Sequence, residues 1–123
     1  MSQPPVVIVV DDDPGMSRAM ARMIELGGMT PLLFPSAEAM LADRCDGAAC
    51  IVIDVQLPGM DGLELHEMLV ARGDRTPVLF VSASEEAEAR AHDATGSPAA
   101  FLAKPFSGLA LLERLKTLLD KVA

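Results

Sequence analysis

The sequence lacks the features that mark thiolate metal sites, membrane proteins and nucleic-acid-binding proteins. It has two cysteines, Cys45 and Cys50, without a second pair at zinc spacing, so we interpret both as structural. No apolar run approaches the roughly 18 residues of a membrane span, and the segment before Val6 has no positive charge of the signal-peptide kind. The net charge is -8 and no Lys/Arg cluster is present, which argues against direct nucleic-acid binding. We therefore expect a cytoplasmic protein, away from the membrane, whose partners are proteins or cations.

At 123 residues the chain suits one domain with a buried core. Short β-branched runs alternate with segments whose apolar residues recur at helical spacing. The predicted strands are residues 6–10, 32–34, 50–54, 78–81 and 99–103. The predicted helices are residues 14–27, 37–42, 63–72, 84–95 and 109–122. This alternation predicts an α/β fold of flavodoxin-like type: a doubly wound, five-stranded parallel sheet with helices on both faces.

Among the common strand orders we expect 2-1-3-4-5, in which strands 1 and 3 are neighbours where the order reverses and where ligands bind. Asp11 and Asp12 follow strand 1 and Asp54 ends strand 3, so three carboxylates should meet there. At about 4 to 5 Å, carboxylates repel by roughly 3 to 4 kcal/mol per pair at an effective dielectric constant of about 20. A Mg²⁺ ion would offset this repulsion. The simpler interpretation, helix capping, is kept for Asp13.

Two more polar residues follow strands at the same edge of the sheet. Ser82 comes after the fourth strand and Lys104 after the fifth. Alone, each has an ordinary explanation, because a serine there is usually a cap and a lone lysine is usually a solvated charge. With the acidic residues they describe a phosphoryl-transfer site, in which Asp54 is the nucleophile.

Four sequence motifs match those of a known protein family. They are Val9-Val10-Asp11-Asp12, Asp54 with Leu57-Pro58-Gly59-Met60-Asp61-Gly62, Val81-Ser82-Ala83 and Lys104-Pro105-Phe106. With them, the chain resembles the receiver domains of two-component response regulators over essentially its whole length. We therefore expect residues 1–123 to form a single receiver domain, with no output domain in this chain. The stretches 34–39 and 63–65 look most like regulators that carry a helix-turn-helix output domain.

The resemblance also implies roles for individual residues. It implies that Asp54 is the phospho-acceptor. The implied Mg²⁺ ligands are Asp11, Asp12, Asp54 and the main-chain carbonyl of Gln56. Ser82 and Lys104 would contact the phosphoryl group. The Lys104–Pro105 peptide is expected to be cis. Ser82 and Phe101 would form the conformational switch, although Phe101 lacks the hydroxyl of the tyrosine frequent in the family. His66 and His92 match no motif, and we expect both on helix surfaces.

The implied function is a phosphorylation-controlled signalling module, as in a phosphorelay, and not a metabolic enzyme. A histidine kinase or histidine phosphotransfer protein would supply the phosphoryl group, and the domain would catalyse only its own phosphorylation and dephosphorylation. We expect a downstream protein or a second copy to bind the fourth helix, fifth strand and fifth helix. The fourth helix packs through alanines and should be mobile. In the last helix we expect the core-facing stripe to be Leu109, Leu112, Leu115, Leu119 and Val122, with some leucine surface exposed.

Two alternatives remain open. The first is an aspartyl-phosphate hydrolase or phosphatase of doubly wound fold, which also uses an Asp nucleophile and Mg²⁺. Such an enzyme needs a substrate-covering insertion, and the short connections leave no room for one. The second is an interaction domain that is never phosphorylated, against which the complete set of acidic residues argues.

Overall fold

The computed structural model describes residues 3–43, 47–95 and 100–120. Strands and helices alternate along the chain, as predicted. The strands are β1 (Val6–Val10), β2 (Thr30–Phe34), β3 (Cys50–Asp54), β4 (Val78–Ser82) and β5 (Phe101–Ala103). The helices are α1 (Pro14–Leu26), α2 (Ala37–Ala42), α3 (Gly62–Ala71), α4 (Glu85–Thr95) and α5 (Gly108–Asp120). Among the helices that the structure describes, none is long and apolar enough to cross a membrane.

The five strands form one parallel sheet in the order β2-β1-β3-β4-β5, which confirms the predicted topology. The strands β3 and β4 are buried along their whole length because helices cover both faces of the sheet. The edge strand β2 begins two residues earlier than predicted, since Thr30 and Pro31 pair with Val6 and Val7. A proline is tolerated here because an edge strand has a neighbour on one side only.

The core lies in two layers, one on each face of the sheet. On one face, Val7 and Val9 of β1 pack with residues of α1 and α5. On the other face, Ile8 and Val10 pack with residues of α2, α3 and α4. This alternation follows from the two-residue period of a strand.

The leucine stripe predicted for α5 is confirmed in part, at Leu115 and in the exposed leucine surface, and is wrong in placing Leu109 in the core-facing stripe and Leu111 and Leu118 beside it. Leu111, Leu115 and Leu118 are buried, Leu112 and Leu119 are partly buried, Leu109 is 65% exposed, and Val122 lies outside the described residues. Two overlapping leucine stripes fit the sequence, and contact between the helices selects one of them. Gly108 lies so close to the Met23 side chain of α1 that a Cβ atom there would overlap it.

Helix α4 has the small core face that its sequence predicts. Ala87 and Ala91 are its buried residues, and Ala94 is exposed. The hydroxyl of Ser84 accepts a hydrogen bond from the Ala87 amide at 3.2 Å and so caps the start of the helix. At its other end, residues 96–99, which include the predicted first residue of β5, lie outside the described residues, and Ala100 precedes that strand.

Candidate functional site

Three carboxylates meet at the carboxyl ends of β1 and β3, as the topology predicts. Val10 pairs with Ile53, so Asp11 and Asp54 come from adjacent positions on neighbouring strands. One oxygen each of Asp11, Asp12 and Asp54 lies within 4.8 Å of the others. Asp11 and Asp54 are buried, whereas Asp12 is exposed. The cluster is therefore open to solvent on the side of Asp12.

Backbone amides orient the two buried carboxylates. Asp11 Oδ1 accepts a hydrogen bond from the Asp13 amide at 2.8 Å, and Asp54 Oδ1 accepts one from the Gln56 amide at 2.9 Å. Each carboxylate keeps its Oδ2 free of backbone donors among the described residues. Asp13 itself is the N-cap of α1 and accepts hydrogen bonds from the first turn, as predicted.

Lys104 supplies a positive charge to this cluster. Its Nζ lies 3.1 Å from Asp54 Oδ2 and 3.5 Å from Asp11 Oδ2. The Lys104 amide donates to the Ser82 carbonyl at 2.9 Å, which continues the pairing of β4 with β5. The Lys104–Pro105 peptide is cis, the form that the sequence leads us to expect. The Lys104 ammonium, expected at this edge from the sequence, thus partly offsets the repulsion among the carboxylates, in addition to any bound Mg²⁺.

Burial and the neighbouring charges shift the pKa values of Asp11 and Lys104. Burial raises the pKa of the Asp11 carboxyl above its usual value, and the hydrogen bond from Asp13 and the charge of Lys104 only partly counter it. For Lys104, burial alone would lower the pKa, but the hydrogen bond to Asp54 and the attraction of both carboxylates outweigh it and raise the pKa. The charged form of Asp11 is therefore less favourable here than in water, whereas Lys104 is held as an ammonium ion.

Ser82 and Gln56 complete the rim of the site. Ser82 is buried at the end of β4, and its hydroxyl lies 3.5 Å from the Gln56 side-chain carbonyl oxygen, the outer limit of a hydrogen bond. The Ser84 amide donates to the same hydroxyl at 3.2 Å. Ser82 therefore faces the β3–α3 loop on one side and the start of α4 on the other. The side chain of Gln56, which sequence reasoning did not single out, is placed to hold this hydroxyl.

The family model described as the response regulator receiver domain matches residues 7–116. The chain belongs to this receiver-domain family. The receiver is 31% identical over 122 residues to the C4-dicarboxylate transport transcriptional regulatory protein DctD of Rhizobium meliloti, covering 98% of the chain and 26% of DctD. It is 32% identical over 116 residues to response regulator MprA of Mycobacterium ulcerans, covering 94% of the chain and 50% of MprA. The chain thus spans a quarter to a half of these relatives.

Solved receiver structures superpose on this receiver over nearly their whole length. The receiver domain of the Francisella response regulator 1452 matches with a TM-score of 0.83 and 27% identity, covering 97% of this chain and 99% of that one. A response regulator receiver protein from Pseudoalteromonas atlantica matches with a TM-score of 0.84 and 25% identity, covering 97% of this chain and 100% of that one. The standard function of this family is phosphorylation-controlled signalling in two-component systems.

The donor set of this receiver fits a hard divalent cation. The three clustered carboxylates offer oxygen ligands, and backbone amides already orient two of them. Hard cations such as Mg²⁺ prefer oxygen ligands and keep several waters, which the open side at Asp12 can admit. The acidic cluster can therefore hold a metal ion.

Other predicted residues of the receiver lie outside the charged cluster. Phe101 is buried in the same apolar layer as Ala87 and Ala91, so its ring already points inward. His92 is exposed as predicted, but His66 is half-buried and its ring meets Phe80 edge-on at 5.4 Å. Burial among these residues lowers the pKa of His66. His66 therefore packs against the sheet instead of lying on the helix surface. The sequence pattern does not show whether a residue at the border between the buried and exposed faces of a helix is buried.

The cysteine interpretation is confirmed where the structure describes it. Cys50 is buried at the start of β3, and burial raises the pKa of its thiol to about 12. A thiol with so high a pKa is a poor nucleophile and metal ligand at neutral pH. Cys45 lies outside the described residues.

Proposed function

We propose that this receiver accepts a phosphoryl group on Asp54, in a Mg²⁺-dependent reaction, from a histidine kinase or a histidine phosphotransfer protein. The observation that carries the proposal is the position of the Asp54 carboxylate, which is buried, oriented by the Gln56 amide and 3.1 Å from the Lys104 ammonium. A carboxylate held in this way is a suitable nucleophile for phosphoryl transfer. It sits beside two further acidic residues that can bind the required cation.

Each residue of the site has a defined part in the proposed reaction. An Asp54 oxygen forms a bond to phosphorus, while the bond from phosphorus to the donor's imidazole nitrogen breaks and the nitrogen keeps the electron pair. The Lys104 ammonium and the Ser82 hydroxyl stabilise the negative charge on the transferring oxygens. Asp11, Asp12, Asp54 and the Gln56 main-chain carbonyl would hold Mg²⁺. Bound Mg²⁺ would neutralise charge on the phosphoryl oxygens and orient them.

The product on Asp54 is an acyl phosphate, which water can hydrolyse. We propose that this receiver contributes catalytically to its own loading and decay and to no other reaction. The relatives named as a response regulator or a transcriptional regulatory protein are longer than this chain. What phosphorylation of this receiver controls downstream is therefore also a proposal.

Magnesium removal tests the proposed reaction. Intact-mass spectrometry after incubation with acetyl phosphate or phosphoramidate and Mg²⁺ should show a gain of one phosphoryl group. EDTA should slow the gain by roughly 100-fold or more, because charge on the transferring oxygens is then no longer neutralised, and excess Mg²⁺ should restore it. No gain under any condition would favour the interaction domain that is never phosphorylated. Steady release of phosphate from small phosphate esters would favour a phosphatase.

The proposed output surface consists of α4, β5 and α5. Two hydrogen bonds connect the site to α4: the Ser82 hydroxyl accepts one from the Ser84 amide, and the Ser84 hydroxyl accepts one from the Ala87 amide at the start of the helix. The alanine face of α4 resists displacement weakly, since little apolar area is buried per turn. At the start of α5, Leu109 is 65% exposed. A downstream protein or a second copy of the chain could cover this surface once α4 has moved.

Hydrogen exchange measured with and without beryllofluoride and Mg²⁺ tests this surface. Altered protection is expected to begin at residues 54–62 and to extend through residues 84–112, because Ser84 passes a shift at Ser82 into α4. Changes confined to residues 54–62 would show that the output surface is elsewhere.

A further inference from the structure

Helix α2 reaches across to the loop that follows the candidate phospho-acceptor. Glu38 Oε2 accepts a hydrogen bond from the Met60 amide at 3.0 Å, although the two residues are 22 positions apart. The neighbouring Gly59 has φ +75, and a Cβ atom there would lie 2.8 Å from Glu38 Oε2. Glycine thus allows both the left-handed backbone and the close approach of the carboxylate. The contact joins α2 to the loop between β3 and α3.

Other contacts also hold this loop among the described residues: the Leu57 amide donates to the Val55 carbonyl at 3.2 Å, the Leu57 side chain is buried in the core, and Asp61 caps α3. At its start, the Gln56 amide binds Asp54 Oδ1, and at its end the Gly62 amide donates to the Val55 carbonyl at 2.9 Å. The exposed middle of the loop, where Pro58 and Gly59 lie, is held from outside through Met60 by Glu38. The Gln56 carbonyl belongs to the same planar peptide group as the Leu57 amide, so the Leu57 hydrogen bond and the conformation of the loop beyond it together orient this carbonyl.

The Glu38 contact has the character of a charge-assisted hydrogen bond. The bond from the Met60 amide is the main reason why the pKa of Glu38 lies below its usual value, so the carboxylate is ionised at neutral pH. Glu38 is also the acidic residue in the first turn of α2, whose N-cap Ser36 accepts from the Ala39 amide at 3.0 Å. The carboxylate therefore projects from a capped helix end.

We propose that Glu38 is a positioning residue for cation binding: through the Met60 amide it holds the β3–α3 loop in the form that directs the Gln56 main-chain carbonyl towards the carboxylate cluster. This inference rests on the proposed Mg²⁺-dependent phosphorylation. Glu38 touches neither the carboxylate cluster nor Lys104 in the described contacts, so it acts only through the loop. Its loss should weaken cation binding and leave the chemistry at saturating Mg²⁺ nearly unchanged.

Three substitutions separate the hydrogen bond from the charge. Glu38→Gln keeps an acceptor oxygen at the same reach but removes the charge. Glu38→Asp keeps the charge but shortens the side chain by one methylene, so that it no longer reaches Met60. Glu38→Ala removes both. Glu25→Ala, on the exposed surface of α1, is the matched control for the loss of one negative charge.

Outer partners of metal ligands typically contribute about 10- to 100-fold to metal affinity, and an exposed bond that acts through a loop should contribute less. We expect Glu38→Ala and Glu38→Asp to raise the Mg²⁺ concentration for half-maximal phosphorylation by about threefold to tenfold, while the rate at saturating Mg²⁺ changes by less than about twofold. Glu38→Gln and Glu25→Ala should stay within about twofold of the unaltered chain in both measures. Without Mg²⁺, amide NMR should show an altered Met60 resonance in the Ala and Asp variants only.

The inference is overturned if Glu38→Asp behaves like Glu25→Ala, or if Glu38→Gln is as impaired as Glu38→Ala. If Glu38→Ala fails to fold, the Asp and Gln variants still decide between bond and charge. Absence of phosphorylation in the unaltered chain would instead refute the proposed function, and the Met60 resonance would then still report whether the bond exists.

Discussion

Replacing Asp54 with asparagine is expected to abolish phosphate incorporation and to leave the fold intact. The amide has the shape of the carboxylate and can still accept the hydrogen bond from the Gln56 amide, but it is not a nucleophile. Incorporation from acetyl phosphate with Mg²⁺ should fall by roughly 1,000-fold or more, as is usual when a nucleophile is removed. Intact-mass spectrometry and circular dichroism measure the two parts of this expectation.

Asp93→Asn, on the exposed face of α4, is the matched control and should be phosphorylated normally. Phosphate found on the Asp54→Asn chain would refute the assignment, and peptide mapping would identify the true acceptor. From the sequence alone, less crowding predicts a more stable magnesium-free protein. The structure revises this expectation to little change in Tm, because the variant also loses the attraction between Asp54 and Lys104.

Replacing Lys104 with methionine is expected to destabilise the magnesium-free protein and to slow phosphorylation. Methionine keeps an unbranched side chain but leaves the buried Asp11 and Asp54 without their counter-charge. Breaking a fully buried pair costs about 3 to 5 kcal/mol, and the solvent-open side of this cluster should reduce the loss to about 1 to 3 kcal/mol. Tm should fall by about 3 to 15 °C, and phosphorylation should slow by roughly 100-fold because one stabiliser of the transferring oxygens is gone.

The loss of stability should depend on pH and on Mg²⁺. Burial already raises the pKa of Asp11 in the folded protein, and removing Lys104 removes a charge that lowers it. A carboxyl group whose folded pKa is raised binds protons more tightly when folded, so its charged form destabilises the fold as pH rises through that pKa. The difference in Tm should therefore be largest near neutral pH and shrink as pH falls towards the usual carboxyl value of 3.8. Added Mg²⁺ should restore part of the lost stability.

Lys116→Met provides the control for the loss of one positive charge, because Lys116 is exposed on α5. An equal fall in Tm for both lysine variants, or a loss at Lys104 that does not vary with pH, would contradict the role assigned to the Lys104 ion pair.

The carboxylate cluster could be predicted because its position follows from the strand pattern and from the geometry of parallel sheets. Continuous β-branched runs indicate buried parallel strands, and parallel strands bring their carboxyl ends to one edge of the sheet. Asp54 and Ser82 end strands, and Asp11 and Lys104 directly follow strands, so the topology brings all four to one edge of the sheet. Their proximity is confirmed, whereas the chemical roles of these residues stay predictions until phosphorylation is measured.

Side chains that reach across between helices were not predictable in the same way. The contact of Glu38 with Met60 spans 22 residues, and the 3.5 Å ion pair of Arg90 with Asp61 joins α4 to the start of α3. In each case a long side chain on an exposed helix face meets a loop, and many exposed charges have the same local sequence signature. Only the relative placement of the helices selects the partner.

The sequence by itself determined the alternation of strands and helices, the capped start of α1 and the edge of the sheet where the charges gather, since these follow from local periodicity and from the rules of parallel sheets. It narrowed the strand order to the few that are common in doubly wound sheets. The tertiary structure alone decided which leucines of α5 face the core and how far Lys104 neutralises the carboxylates. The physical reason is the separation along the chain of the residues that interact. Periodicity acts within one element, whereas the rotation of a helix and the length of an ion pair depend on contacts between elements far apart in the chain, such as Gly108 against Met23.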